Sequence, residues 1–204
     1  MHNRKLRRKN LTVDMAAMCD VALLILIFFI LCARPKSWRP IVVERPLASG
    51  GIYDPGDGNF KIILSQGKMM VELESGDRAE VLAKMGEKYH VSFTPAELAR
   101  FSKIETIGVP MAGMKRFIDG YYNAKAFMEQ PGIRMDSKNN ELFDWLIAAR
   151  DVSKASHGYD LKMIIDADKS VMYPEIKNAI NTLASQKIFK FDLMHDIKSS
   201  QALL

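Results

Sequence analysis

Residues 13–33 read VDMAAMCDVALLILIFFILCA, and the rest of the 204-residue chain is placed by what this stretch is. It is apolar except for Asp14 and Asp20, and residues 21–33 form an unbroken apolar run. At ~1.5 Å per residue a helix of this length spans ~30 Å, the thickness of one hydrocarbon core. Residues 1–12 precede it with Arg4, Lys5, Arg7, Arg8 and Lys9 and no acid. A cleaved signal peptide shares that basic-then-apolar pattern. Two features argue against cleavage: Asp20 lies inside the stretch, and the following CARPKSW offers no small-x-small site. The stretch therefore reads as an uncleaved transmembrane anchor. Five basic residues precede it, and Arg34, Lys36 and Arg39 follow it. The positive-inside rule then leaves the N-terminus in the cytoplasm and exports everything after the span.

The overall composition hides this division. Hydrophobic residues make up 48%, charged residues 26%, and mean hydropathy is −0.08. Those values exclude a polytopic membrane protein, a disordered chain and a collagen. The net charge of +5 belongs wholly to the basic tail: of 29 basic residues five lie there, leaving 24 against 24 acidic. The body is neutral, so a nucleic-acid footprint is not expected. Both cysteines, Cys19 and Cys32, lie in the span, so the exported part must fold without disulfides.

Residues 34–59 carry Pro35, Pro40, Pro46, Pro55 and four glycines, the pattern of a linker that is stiff and then flexible. Fully extended, such a linker reaches at most ~85 Å. Ile41-Val42-Val43 is a β-prone island in it that could pair with a sheet edge or stay solvated. FKIIL and MMVEL, separated by Ser65-Gln66-Gly67-Lys68, predict a hairpin. A helix is predicted over 77–90, with Val81, Leu82, Met85 and Tyr89 on one face. Thr94-Pro95-Ala96-Glu97 starts another with a capping box. A short strand is expected at 105–110, and helices at 113–128 and 140–154, the last with a stripe of Leu142, Trp145, Leu146 and Ala149. The final third reads strand 161–165, helix 173–186 with Ile176, Ile180 and Leu183 inward, strand 188–194. The predicted fold is a single transmembrane helix plus an α+β domain over 60–204: hairpin, helical insertion at 76–160, and strand-helix-strand.

Asp20 is the residue a plain anchor does not explain. An ionisable group inside a span costs several kcal/mol unless it is neutral, paired or hydrated. Apolar surroundings favour a neutral carboxyl and watery ones a charged carboxylate, so a group that visits both can carry protons. On a helical wheel Asp20 shares its face with Val13, Ala16, Ala17, Leu24, Ile27 and Leu31. The two alanines allow another helix to approach closely. Asp14 stands at the cytoplasmic mouth, where it caps the helix or marks one end of a proton path.

The membrane stretch, with VDMAAMCDV running into LLILIFFIL behind a basic tail, resembles the transmembrane signature of the ExbD/TolR biopolymer-transport family. FKIILSQGKMMVEL looks like that family's first hairpin, and LKMIIDADKSVMYPEIKNAINTLASQKIFKFDLM like its final strand–helix–strand unit. Asp168 and Tyr173 fall where the family has an acid and a tyrosine flanking the helix start. The resemblance covers about 100 residues in three ordered blocks. The chain departs from the pattern at Ala16-Ala17, where the family often has Thr-Pro, at Met172 in place of a proline, and at Lys187 in place of a glycine. The insertion at 76–160 lies outside the resemblance. What the resemblance implies is a single-pass subunit of the inner membrane with its C-terminal domain in the periplasm. Such subunits dimerise inside a pentameric ring of an ExbB/TolQ-like protein. The membrane Asp, here Asp20, accepts protons, and the proton-motive force moves work to a TonB-like or TolA-like partner. No cofactor or metal is implied.

Two other classes compete with this reading. An enzyme needs a convergent nucleophile, base or metal set. His2, His90, His157 and His195 are scattered, and no HExxH, GxSxG or P-loop occurs. Asp166, Asp168, Asp192 and Asp196 could be gathered by the fold or serve as loop caps. A cell-wall-binding anchor protein is the other class. Peptidoglycan or a partner could then be held by Tyr121-Tyr122 and Met111 to Met114 of the insertion, with core packing as the alternative. A TonB-like peptide could also dock on the hairpin edge.

Overall fold

The computed structural model describes residues 15–32, 39–48, 56, 58–120, 123–136 and 139–197. It divides into two compact units, Met1–Trp38 and Arg39–Leu204. The first contributes one helix, α1 (Met15–Cys32), which is long and apolar enough to cross a membrane. Asp14 and the ends of the expected span, Val13 and Ala33, lie outside the described residues.

The second unit is an α+β fold. Its elements in order are β1 (Leu47–Ala48), β2 (Asn59–Ser65), β3 (Lys68–Leu73), α2 (Arg78–Tyr89), α3 (Pro95–Phe101) and β4 (Thr106–Ile107). A 3-10 turn at Met111–Gly113 leads into α4 (Met114–Gly120), α5 (Ala124–Met128), β5 (Met135–Asp136), β6 (Asn139–Asn140) and α6 (Glu141–Ser156). The chain closes with β7 (Lys162–Ala167), α7 (Tyr173–Ser185), β8 (Asp192–Leu193) and β9 (Asp196–Ile197). Five strands form one mixed sheet in the order β4-β3-β2-β7-β8. β2 runs antiparallel to β3 and parallel to β7, and β8 runs parallel to β7.

The predicted hairpin is present, with Ser65 opposite Lys68 and a two-residue turn. Both turn residues, Gln66 (φ 53) and Gly67 (φ 68), take positive φ, as a type I′ turn requires. Strand alternation then sorts the side chains. Phe60, Ile62 and Leu64 of β2, Met69, Val71 and Leu73 of β3, and Met163 and Ile165 of β7 point to one face. Against it pack Val81, Leu82 and Met85 of α2, the expected stripe of α6, and Ala179 and Leu183 of α7. Trp145 is fully buried at the centre and stacks on Phe101.

The opposite face carries Ile63 and Met70, and here the linker reading is corrected in part. Ile41 and Val43 pack on Ile63 and Met70, so residues 39–48 belong to the domain as a strap across its sheet. Ile41-Val42-Val43 does not add a strand to the five-stranded sheet. Two other elements differ from the sequence reading. The helix expected at 113–128 is split, because α4 ends at Gly120 and Asn123 caps a new helix by accepting from the Lys125 N–H. Of the strand expected at 188–194 only Asp192–Leu193 pairs.

Candidate functional site

Asp20 is the sixth residue of α1, ~7.5 Å along the axis from Met15. Among the described residues of α1 it is the single charged side chain. Ala16, Ala17, Leu24 and Ile27 lie on its face at helical spacing. Every α1 side chain is exposed within the single chain, so the helix offers its whole surface, Asp20 included, to lipid or to other helices. An apolar helix of this length closes its own main-chain hydrogen bonds, leaving the carboxyl as the group that must find a partner, water or a proton.

Asp168 and Tyr173 lie in the second unit, at the carboxyl end of β7. Asp168 is a tie. Its carboxylate accepts from the Ser170 hydroxyl at 2.6 Å, the Ser170 N–H at 2.9 Å and the Glu44 N–H at 2.6 Å. Those bonds, the Ser170 hydroxyl first, hold its carboxyl below the usual range. Lys169 answers by donating its N–H to the Glu44 carbonyl and pairing with the Glu44 carboxylate. Tyr173 opens α7 and is exposed, as is Met172 before it.

Beside this tie stands Arg45, which the sequence reading did not single out. Its Nε and Nη2 donate to the two oxygens of Asp166 at 2.7 and 2.9 Å, and its Nη1 reaches Asp196 at 3.4 Å. Asp166 is buried, and the bond to it is the largest reason the Arg45 guanidinium is held above its ordinary value. Two of the four aspartates thus meet on one arginine and a third binds the strap two residues on, while Asp192 stands in β8 opposite Ile164. β1 completes the arrangement by pairing in parallel with β9, Leu47 with Asp196. The signal for this strap was its alternation of Ile41, Val43 and Arg45, masked by the prolines around it.

The remaining candidates separate. Met111 and Met114 are buried in the core, so packing is their role. Asp14 and Tyr121-Tyr122 lie outside the described residues. On the hairpin, β7 pairs along β2, and β4 pairs with Val71 and Glu72 of β3, so part of the edge expected to take a peptide is already paired. His90 is the left-handed cap of α2, His157 bonds Asp77 at 2.8 Å, and His195 lies between β8 and β9. Among the described residues no group of three or more His, Cys, Asp or Glu could hold a metal ion. Compared with known proteins, the chain matches no family model, and neither a curated protein nor a solved structure is significantly similar to it.

Proposed function

We propose that this chain is the proton-carrying subunit of an ExbD/TolR-like motor. It is a single-pass inner-membrane protein, with its N-terminus in the cytoplasm and residues 39–204 in the periplasm. The observation that carries the reading is Asp20, one carboxyl on an otherwise apolar helix of membrane length. The resemblance of residues 13–31 to the family's membrane signature supports it. In the proposed mechanism two copies of α1 sit inside a ring of an ExbB/TolQ-like protein. Protonation neutralises Asp20 and lets its face lie against apolar ring helices. Deprotonation sends it towards a polar or hydrated partner. A membrane potential supplies ~2.3 kcal/mol per charge per 100 mV, enough to bias two packings of dimer and ring. The domain at 39–204 passes the motion to a TonB-like or TolA-like protein.

The test is an Asp20→Asn chain expressed with its membrane neighbours. Asn keeps size and polarity and cannot carry a proton. We expect D20N to co-purify with a ring-forming polytopic protein and to lose at least about tenfold of output driven by the proton-motive force, with Asp20→Glu recovering part of it. Output is read as energised outer-membrane uptake for a Ton-type motor and as envelope integrity for a Tol-type motor. Full output in D20N overturns the proton role. Purification of the wild-type chain as a lone monomer overturns the ring assembly.

A further inference from the structure

Two buried side chains pin the segment that runs from β4 into α4, and only one of them can change its charge. Gln130 holds the near end. Its Oε1 accepts from the Gly108 N–H at 2.6 Å, and its Nε2 donates to the Phe127 carbonyl at 3.1 Å and the Thr106 carbonyl at 3.4 Å. Glu141, buried at the start of α6, holds the far end by accepting from the Met111 N–H at 3.1 Å. We propose that Glu141 is a pH-operated latch. Protonated, it keeps the turn at Met111–Gly113 closed, and losing the proton as pH rises lets that turn open. The latch lies in the insertion at 76–160 and stands on the fold alone.

The two pins differ in what a proton does to them. An amide does not titrate in this range, so the grip of Gln130 on residues 106 and 108 is the same at every pH. A carboxylate as buried as that of Glu141 loses most of its water, and the Met111 N–H replaces only part of it. The charged groups around Glu141 come from three places. Arg134, just ahead of β5, favours the carboxylate, and Asp144, one turn on along α6, opposes it. On α2, Tyr89 feels the Glu141 charge, but its hydroxyl donates to Asp144 at 2.6 Å, and Lys88 pairs with that same carboxylate. The turn itself, Met111-Ala112-Gly113, carries no titratable side chain. α7 reaches this end of α6 through the uncharged Thr182 hydroxyl, which accepts from Asn140 at 2.9 Å. Burial is the largest of these influences, and it pushes the carboxyl up.

Opening the turn admits water and returns the carboxyl to its ordinary range. The closed turn therefore binds the proton more tightly than the open one, and linkage fixes the sign: raising pH favours opening. The rise begins in the ordinary carboxylate range and levels off once Glu141 in the closed turn has also released its proton. Opening stays local, because β4 remains paired with Val71 and Glu72 and Gln130 keeps its bonds. It uncovers Met111 and Met114, which the closed turn buries. In the proposed periplasmic setting the domain then reads the same proton supply that loads Asp20, a link that rests on the proposed function.

Hydrogen exchange of the full chain in lipid nanodiscs, read by mass spectrometry, tests the latch. Wild type and Glu141→Gln are compared at each pH from about 4 to about 9, so that the intrinsic pH dependence of exchange cancels. In peptides covering 109–116 the wild-type rate relative to E141Q should rise at least about threefold across that range. In the hairpin at 59–73 the same ratio should stay level. Arg134→Met removes a group that favours the charge, so against wild type it should carry the rise to higher pH and a higher plateau. Asp144→Asn removes a group that opposes the charge, so the rise should end earlier and lower. Both variants keep Glu141 and decide the matter if E141Q disturbs the hairpin. A wild-type profile that follows E141Q at 109–116, or R134M and D144N profiles that do not shift in opposite directions, overturns the latch and leaves the motor reading standing. A D20N chain with full output overturns the proton role and leaves the latch standing.

Discussion

Glu141 carries a carboxylate that the fold buries. It is the first residue of α6, is 4% exposed, and accepts a hydrogen bond from the Met111 N–H at 3.1 Å. Burial pushes its carboxyl up from the ordinary range. The Met111 N–H and Arg134 pull it back down, and Asp144 adds to the rise. The folded chain therefore holds a proton on Glu141 at a pH where the unfolded chain has released it. Its contribution to stability is greatest below the unfolded value and falls as pH rises towards the folded one. Glu141→Gln keeps an oxygen for the Met111 N–H and removes the charge. Thermal unfolding of the full chain should show E141Q more stable than wild type at about pH 7, with the gain vanishing near pH 4. A gain that is the same at both values would assign the effect to packing. Asp20 and Glu141 differ in how they read along the chain. A charge inside an apolar run is visible in one dimension. An acid at the start of a helix is ordinary there, because it suits the helix dipole. Only the approach of Met111, 30 residues away, marks Glu141 as buried.

Elements whose geometry is local were legible. The box at Thr94 is complete: the Thr94 hydroxyl accepts from the Glu97 N–H at 3.3 Å, and the Thr94 N–H donates to the Glu97 carboxylate at 2.6 Å. Thr94→Ala should cost about 1 kcal/mol, seen as a fall of about 2–4 °C in the midpoint of thermal unfolding. The hairpin was legible for the same reason, since its turn and its alternation lie within 15 residues of sequence. The βαβ unit was legible in order but not in extent. Lys187 turns the chain after α7 with φ 60, a left-handed conformation in which a Cβ is strained and glycine is not. Lys187→Gly should therefore stabilise by about 0.4–1 kcal/mol, measured in the same unfolding experiment, where glycine in an ordinary conformation would destabilise. Beyond that turn, Ile188 to Met194 has the composition of a full strand. Composition sets the tendency of a strand, and a neighbour sets its length. β8 pairs with β7 only at Asp192 and Leu193, and the residues from Ile188 to Phe191, which follow the left-handed turn at Lys187, stay outside the ladder.

At the scale of the whole molecule the strap decides where the domain begins. Prolines at 35, 40 and 46 read as a spacer, because proline breaks local structure. The strap is held by long-range contacts whose partners its local alternation does not name. The Ser65 hydroxyl donates to the Val42 carbonyl at 2.9 Å, Asp168 binds the Glu44 N–H, Arg45 grips Asp166, and Ile41 is 6% exposed over Ile63 and Met70. These contacts join residues 23 to 124 positions apart, so the surface that holds the strap is built jointly by β2, β3 and β7. Arg45 is the centre of this attachment. Its side chain is 23% exposed and that of Asp166 5%, so removing either partner leaves a charge poorly solvated. Arg45→Ala should cost about 1–3 kcal/mol, below the full penalty for a deeply buried pair because Arg45 keeps some water. The double variant R45A/D166A should lose less than the two single losses added, since the stranded carboxylate is gone. Limited proteolysis gives the spatial readout. In R45A cleavage should rise first within residues 39–48, while 60–73 stays protected. Simultaneous cleavage of strap and hairpin would instead make the strap an integral part of the core, folding and unfolding with the sheet as one unit.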